Sequence, residues 1–474
     1  MNRGDGEGVE PGNAGSSRTA PALPHRTTFL RRWTVSADHR EQQPSQQGSR
    51  IDPHVGRYAR RAQGMVASEV RALFAVASRP EVVSLAGGMP NVAALPLDQI
   101  GELVKDVVSE EGAAALQYGS AQGDPVLREQ LCDYMTLEGI TASPDDVIVT
   151  VGSQQALDLI TRVFVDPGDI VLTEAPTYVT AINTFAAFQA DIRHVGMDEQ
   201  GVIPEELEEA LVRAELDGRP VKFFYTVPNF QNPAGITMTA ERRARVAEAC
   251  ERHDVLIVED NPYGLLRYDG DPEPTLYSQS EGNVIYLGSL SKTLSPGLRI
   301  GWALAPAAVR AKLVLAAESA MLSHSTFNQL VVRRYLNTFP WREQIKSFNT
   351  MYGERRDAML NALTAMMPAG CTWTRPQGGF FVWATLPEGI DAKAMLPRAV
   401  TERVAYVPGT GFYADGRGRA DMRLSFCYPT PEQIREGVRR LVGAIEGEID
   451  LRDTFGTTLA PSTDGPQAPA PDLP

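Results

Sequence analysis

The chain has 474 residues, 43% hydrophobic and 22% charged, with a formal net charge of −14; this composition excludes a disordered, collagen-like or coiled-coil protein and leaves room for domains of roughly 150 residues. The acidic balance excludes a dedicated nucleic-acid binder, which needs clustered Lys and Arg. Cys132, Cys250, Cys371 and Cys427 are scattered without a C-x-x-C pair, and neither an apolar leader nor a run of about 18 apolar residues occurs, which argues for a soluble protein of the reducing cytoplasm, with no membrane span and no cysteine metal site.

In chain order, residues 1–50 are rich in Gly, Ser, Pro, Gln and Arg and predict a disordered tail, because they offer too little apolar surface to offset ordering entropy. Residues 51–92 are read as an N-terminal arm and part of a small domain. From 93 to 330 short β-branched runs alternate with helical patterns. Strands are expected at 147–151, 170–172, 192–195, 223–227, 255–258, 284–287 and 301–304, and helices at 154–165 and 240–253. That alternation predicts an α/β domain with a mostly parallel sheet covered on both faces. Residues 331–450 change to a long helix, strands at 378–384 and 422–426 and a closing amphipathic helix, a smaller α+β domain. Residues 451–474, with Pro461, Pro466, Pro469, Pro471 and Pro474, predict a second disordered tail.

Ligands of open α/β sheets bind beyond the carboxyl ends of the strands. Here those ends carry Ser153 and Gln154, Tyr178, Asn232, Asp260 and Tyr263, and Ser289, Ser291 and Lys292, with Arg299 shortly after. Ser153, Ser289 and Ser291 offer hydroxyls, Arg299 a cationic fork, and the helix beginning near Ser153 free N–H groups, a set suited to phosphate. Asp260 ends an apolar strand, where a carboxylate is costly unless it meets a cation, and a protonated pyridine nitrogen is such a cation. Lys292 offers a Schiff-base amine, Tyr263 and Asn232 donors for a phenolate, and Tyr178 a face for ring stacking. Phosphate, pyridinium, phenolate and aldehyde occur together in pyridoxal 5′-phosphate. Of the six lysines, Lys105, Lys222, Lys292, Lys312, Lys346 and Lys393, only Lys292 follows a strand amid small residues.

The stretch Leu287-Gly288-Ser289-Leu290-Ser291-Lys292-Thr293, continued by Pro296-Gly297-Leu298-Arg299-Ile300-Gly301-Trp302, resembles the lysine signature of fold-type I, class I/II aminotransferases. Ala86-Gly87-Gly88-Met89-Pro90, Gln117-Tyr118-Gly119, Ser153-Gln154-Gln155, Gln231-Asn232-Pro233, Val258-Glu259-Asp260 and Arg423-Leu424-Ser425-Phe426 extend the likeness over roughly residues 55–445, nearest to the 2-aminoadipate and kynurenine branch. The resemblance implies a homodimeric transaminase that moves an α-amino group to a 2-oxo acid such as 2-oxoglutarate by a ping-pong mechanism. Aminoadipate, aromatic and branched-chain amino acids are the expected donors, and a lyase, racemase or decarboxylase on the same fold is the alternative. It also implies roles. Lys292 would hold the cofactor and move the Cα proton, and Asp260 would keep the ring nitrogen protonated. Tyr178 would stack on the ring, and Asn232 and Tyr263 would bond its phenolic oxygen. Ser153, Gln154, Ser289, Ser291 and Arg299 would hold phosphate. Arg423 would take the substrate α-carboxylate beside Gly88, Tyr118 would reach the partner's site, and Arg71 would contact the substrate side chain. The segment Ser323-His324-Ser325-Thr326 departs from the expected pattern.

Rival readings lack companions. Ser289-Leu290-Ser291-Lys292 satisfies the S-x-x-K of serine acyl-enzymes, but S-D-N and K-T-G are missing. His54, His194, His253 and His324 show no metal-ligand spacing, and Gly409-Thr410-Gly411 is too short for a dinucleotide fingerprint.

Overall fold

The computed structural model describes residues 57–63, 79–280 and 282–456; all but Arg57 belong to a unit spanning Tyr58–Pro474. Arg71 and the segments 1–50 and 457–474 lie outside the described residues.

The strands are β1 (Val83–Ser84), β2 (Val147–Thr150), β3 (Ile170–Ala175), β4 (Asp191–Asp198), β5 (Gly201–Val202), β6 (Val221–Thr226), β7 (Leu256–Asp260), β8 (Val284–Ser289), β9 (Gly301–Leu304), β10 (Thr372–Trp373), β11 (Phe381–Thr385), β12 (Val404–Ala405), β13 (Val407–Pro408) and β14 (Asp421–Ser425). Eight of them form one sheet in the order β2-β9-β8-β7-β6-β3-β4-β5. Strands β8, β7, β6, β3 and β4 run parallel. Strand β9 lies antiparallel between β2 and β8, with Ser289 opposite Gly301.

Side-chain alternation explains why these strands read as continuous apolar runs. On one face Val171, Phe223, Tyr225, Val258 and Ile285 pack with Leu157, Ile160 and Phe185 of the helices Ser153–Phe164 and Val179–Ala187. On the other, Ile170, Leu172, Phe224, Ile257 and Val284 pack with Leu207, Leu211, Val246 and Ala249 of the helices Pro204–Leu216 and Ala240–Arg252. With both faces covered, the strand ends are the open part of the sheet.

A second sheet, antiparallel in the order β10-β11-β14-β13, is backed by the helices Trp341–Met366 and Pro431–Phe455. The pair β1–β12 is parallel, with Val83 opposite Val404, which carries the segment after β1 toward this smaller layer. The closing helix starts with a Thr430–Gln433 capping box and runs to Phe455, five residues into the stretch expected to be tail. Partly buried Ile449 packs on the small core and holds that last part in register.

Candidate active site

The carboxyl ends of β2, β3, β6, β7 and β8 open into one cavity of about 390 Å³. Its lining brings together Ser153, Gln154, Tyr178, Asn232, Asp260, Tyr263, Ser289, Ser291, Lys292 and Arg299 from the large sheet with Gly88 and Arg423, and Phe381 of β11 closes one side.

One end of the cavity is built for an anion. Gly152 caps the helix Ser153–Phe164 at φ 72° and offers no side-chain cap. A Cβ there would stand 2.7 Å from Arg299 Nη2, so glycine lets the helix start approach the guanidinium. Arg299, itself in the left-handed region at φ 54°, donates from Nη2 to the Val151 carbonyl at 2.8 Å. Ser289 Oγ donates to Ser291 Oγ at 2.9 Å and accepts from the Ser291 N–H at 3.1 Å. Gln154 lines this end but its Nε2 is tied to Thr184 Oγ1 at 2.8 Å. Helix-start N–H groups, hydroxyls and a guanidinium that pairs with no carboxylate among the described residues are a set suited to phosphate.

The centre of the cavity asks for a cationic donor. Asp260 is buried; its Oδ2 accepts from Tyr225 Oη at 2.9 Å, while Oδ1 has no hydrogen-bond partner. Burial pushes its carboxyl up to about 6, against the pull of Tyr225, Ser153 and Lys292. A buried acceptor of this kind is expensive unless a donor reaches it, and a protonated pyridine nitrogen matches it in charge and hydrogen-bond sense. Opposite, part-buried Lys292 donates from Nζ to the Gly88 carbonyl at 2.9 Å. Desolvation pushes this amine down to about 8 despite Cys427 and Asp260, with Arg423 and Arg299 adding to the fall. Such an amine is partly neutral near pH 7 and therefore nucleophilic.

The far wall carries a second cation. Arg423 of β14 is buried, donates from Nη1 to Asn232 Oδ1 and from Nη2 to the Ala86 carbonyl, both at 2.9 Å, and leaves Nε without a partner. Its guanidinium lies 4.1 Å from the centroid of Phe381 and 5.1 Å from that of Phe412. Burial pushes it down to about 10, and among the described residues no carboxylate pairs with it. Asp421, two residues earlier, accepts from Thr385 instead. Such an isolated fork calls for a carboxylate from outside the chain. Buried Tyr263 meets Phe380 and Phe381 edge-on, and Tyr178 precedes the helix Val179–Ala187 with its ring on the cavity. Gly88 is required where it stands, since a Cβ would lie 2.8 Å from Phe381 Cζ.

Tyr118 is 75% exposed and absent from the cavity lining of its own chain, and Arg71 falls outside the described residues. Structure adds Tyr225, which holds Asp260, and Cys427, whose Sγ donates to the Met89 carbonyl at 3.2 Å behind Gly88. Neither carries a local motif. The cysteines are free thiols, and no acidic, His or Cys cluster suited to a metal occurs among the described residues. His194 and His253 serve structure: His194 accepts from the Ala414 N–H, and His253 sits between Glu208 and Glu215. Within the described residues no helix is long and apolar enough to cross a membrane.

The family model "Aminotransferase class I and II" matches residues 80–441. The aromatic-amino-acid aminotransferase 1 of Thermococcus litoralis is 46% identical over 83% of this chain and 94% of its own length. The 2-aminoadipate transaminase of Thermus thermophilus is 38% identical over 81% and 95%. Among solved structures, the kynurenine aminotransferase of Pyrococcus horikoshii, in complex with PMP, superposes with a TM-score of 0.80 at 44% identity, covering 83% of this chain and 97% of that one.

Proposed function

The chain belongs to the class I and II aminotransferases, a fold-type I enzyme that uses pyridoxal 5′-phosphate, and from that premise we propose the part each cavity residue takes in transamination. The cofactor, when bound, supplies an electron sink for the negative charge that develops at substrate Cα. Lys292 would hold it through a Schiff base and, as the base beside substrate Cα, would take the Cα proton and pass it on to the cofactor's C4′. Asp260 keeps the ring nitrogen protonated through its open Oδ1, the donor-acceptor match that carries the reading. Ser153, Gln154, Ser289, Ser291 and Arg299 hold phosphate, Gln154 through the backbone at the helix start because its side chain is engaged with Thr184. Tyr178 stacks on the ring, and Asn232 and Tyr263 donate to its phenolic oxygen. Arg423 holds the α-carboxylate of donor and acceptor in turn, with Gly88 giving it room.

Phe381, Met89 and Val179 give the substrate end of the cavity an apolar wall, which favours aromatic amino acids as donors, in keeping with the Thermococcus relative. Arg71 is assigned to acidic side chains such as that of aminoadipate, and 2-oxoglutarate is the proposed acceptor. The molecule is proposed to be a cytoplasmic homodimer in which Tyr118 enters the partner's cavity; its exposure beside Leu116, itself 74% exposed, supports that.

An absorption scan tests the reading. Adding an aromatic donor is expected to bleach the visible cofactor band and 2-oxoglutarate to restore it, while Lys292→Ala shows neither the band nor turnover. Retained multiple turnover in that variant overturns the assignment.

A further inference from the structure

Glu174 is a buried carboxylate that the mechanism above leaves without a task. It sits near the end of β3, 1% exposed, with no basic partner among the described residues. Its Oε1 accepts from the Val227 N–H at 2.9 Å and from Gln231 Nε2 at 3.0 Å, and its Oε2 accepts from Thr226 Oγ1 at 2.6 Å. The same Gln231 Nε2 also donates to the Pro176 carbonyl at 2.7 Å. One side chain therefore ties the loop after β3 to the loop after β6. Each loop then presents a cavity residue: Tyr178 lies two positions beyond Pro176, and Asn232, which accepts from Arg423, directly follows Gln231.

Burial pushes the Glu174 carboxyl up to about 7, and the charge of Asp260 adds to the rise. A charged group so placed, without a cation, is costly, and its three donors all belong to the strand end and loop that lead to Asn232. We propose that Glu174 is a positioning residue: through Gln231 it sets the spacing between Tyr178 and the Asn232–Arg423 pair, and so the tilt of the ring held between them. This rests on the cofactor site assigned above.

Two substitutions separate the role from simple support of the fold. In Glu174→Gln the amide can donate to Thr226 Oγ1 while its oxygen keeps both other donors, so every tie survives. Glu174→Ala removes the three bonds that Glu174 accepts and leaves Gln231 Nε2 held to the Pro176 carbonyl alone. The alanine variant is expected to release pyridoxal phosphate about tenfold more readily and to lose roughly a hundredfold in kcat, because small misplacements near the reacting atoms have effects of that size. Its circular dichroism per bound cofactor in the visible band should change, since that signal reports ring tilt. Glutamine should restore all three to within about threefold. If the alanine variant keeps the cofactor affinity and visible dichroism of the parent while only its melting temperature falls, Glu174 merely supports the fold and the proposal is overturned. Should it fail to fold, Gln231→Ala cuts the same tie from the other side, with the same expected loss of affinity and the same overturning result. A parent protein with no visible band would instead overturn the cofactor reading itself.

Discussion

Lys292 carries the sharpest electrostatic signature of the site. Desolvation pushes its amine down to about 8, and the guanidinium groups of Arg423 and Arg299 add to the fall, while Cys427 and Asp260 resist it. Only the neutral amine attacks an aldehyde, so a lowered value moves reactivity toward lower pH. Cofactor capture by the cofactor-free protein should accelerate with rising pH and level off above about pH 8, rather than climbing toward the ordinary lysine value of about 10.4. Stopped-flow mixing with pyridoxal phosphate, read at the visible band, gives the profile. A rate still rising between pH 9 and 10 would mean that the amine is not desolvated as described. Asp260 shifts in the opposite sense: burial raises it to about 6, and a pyridinium beside it would draw that value down and favour the ionised form further.

Among the elements, the start of the helix Ser153–Phe164 bears most directly on binding. Gly152 combines φ 72° and ψ 166° with a Cβ position 2.7 Å from Arg299 Nη2. Gly152→Ala should cost about 1–3 kcal/mol of backbone strain and displace Arg299 from Val151; a spectrophotometric titration should show cofactor affinity down by about tenfold or more, for a loss of at least 1.4 kcal/mol. Unchanged affinity would show that phosphate does not sit at this helix start. Such strand-to-helix corners are legible in sequence because each is a local pattern. The apolar run 255–258 ending in Glu259-Asp260, and Gly288-Ser289 leading to Lys292, announce a strand and its polar end together. What lies across strands is not legible. Tyr225 reaches Asp260 over 35 positions, and Glu174 reaches Gln231 over 57. Nothing local in either segment marks the other. The antiparallel insertion of β9 between β2 and β8 is likewise a property of sheet order, and β1 is too short to show periodicity. The closing helix outran its expected end because residues 451–455 carry Arg452, Asp453 and Thr454 with only two apolar side chains and are held by packing of the preceding turn.

At the scale of the whole molecule, the two sheets share the cavity. Arg423 of the small sheet bonds Asn232 of the large one, the Thr177 N–H donates to the Phe412 carbonyl at 2.9 Å, and the Ala414 N–H donates to His194 Nε2 at 2.8 Å. These ties hold Arg423, the proposed α-carboxylate anchor, to the large sheet that carries Lys292, yet Leu116 and Tyr118 remain exposed, far more than apolar side chains of this size usually are. If Tyr118 completes a partner's site in a two-fold dimer, defects in Tyr118 and Lys292 must complement each other, since an isologous interface exchanges the same residue in both directions. A subunit carrying Lys292→Ala has no functional lysine, and one carrying Tyr118→Ala spoils only its partner's cavity. In a mixed dimer one site then holds both defects and the other holds none. Random pairing of equal amounts gives mixed dimers in about half of the population, with one intact site in each, so about a quarter of wild-type activity should return on co-expression. Separately purified and unmixed parents provide the baseline. Activity no greater than the sum of the parents would place Tyr118 in its own subunit's chemistry, or in none, and would remove the main support for a shared active site.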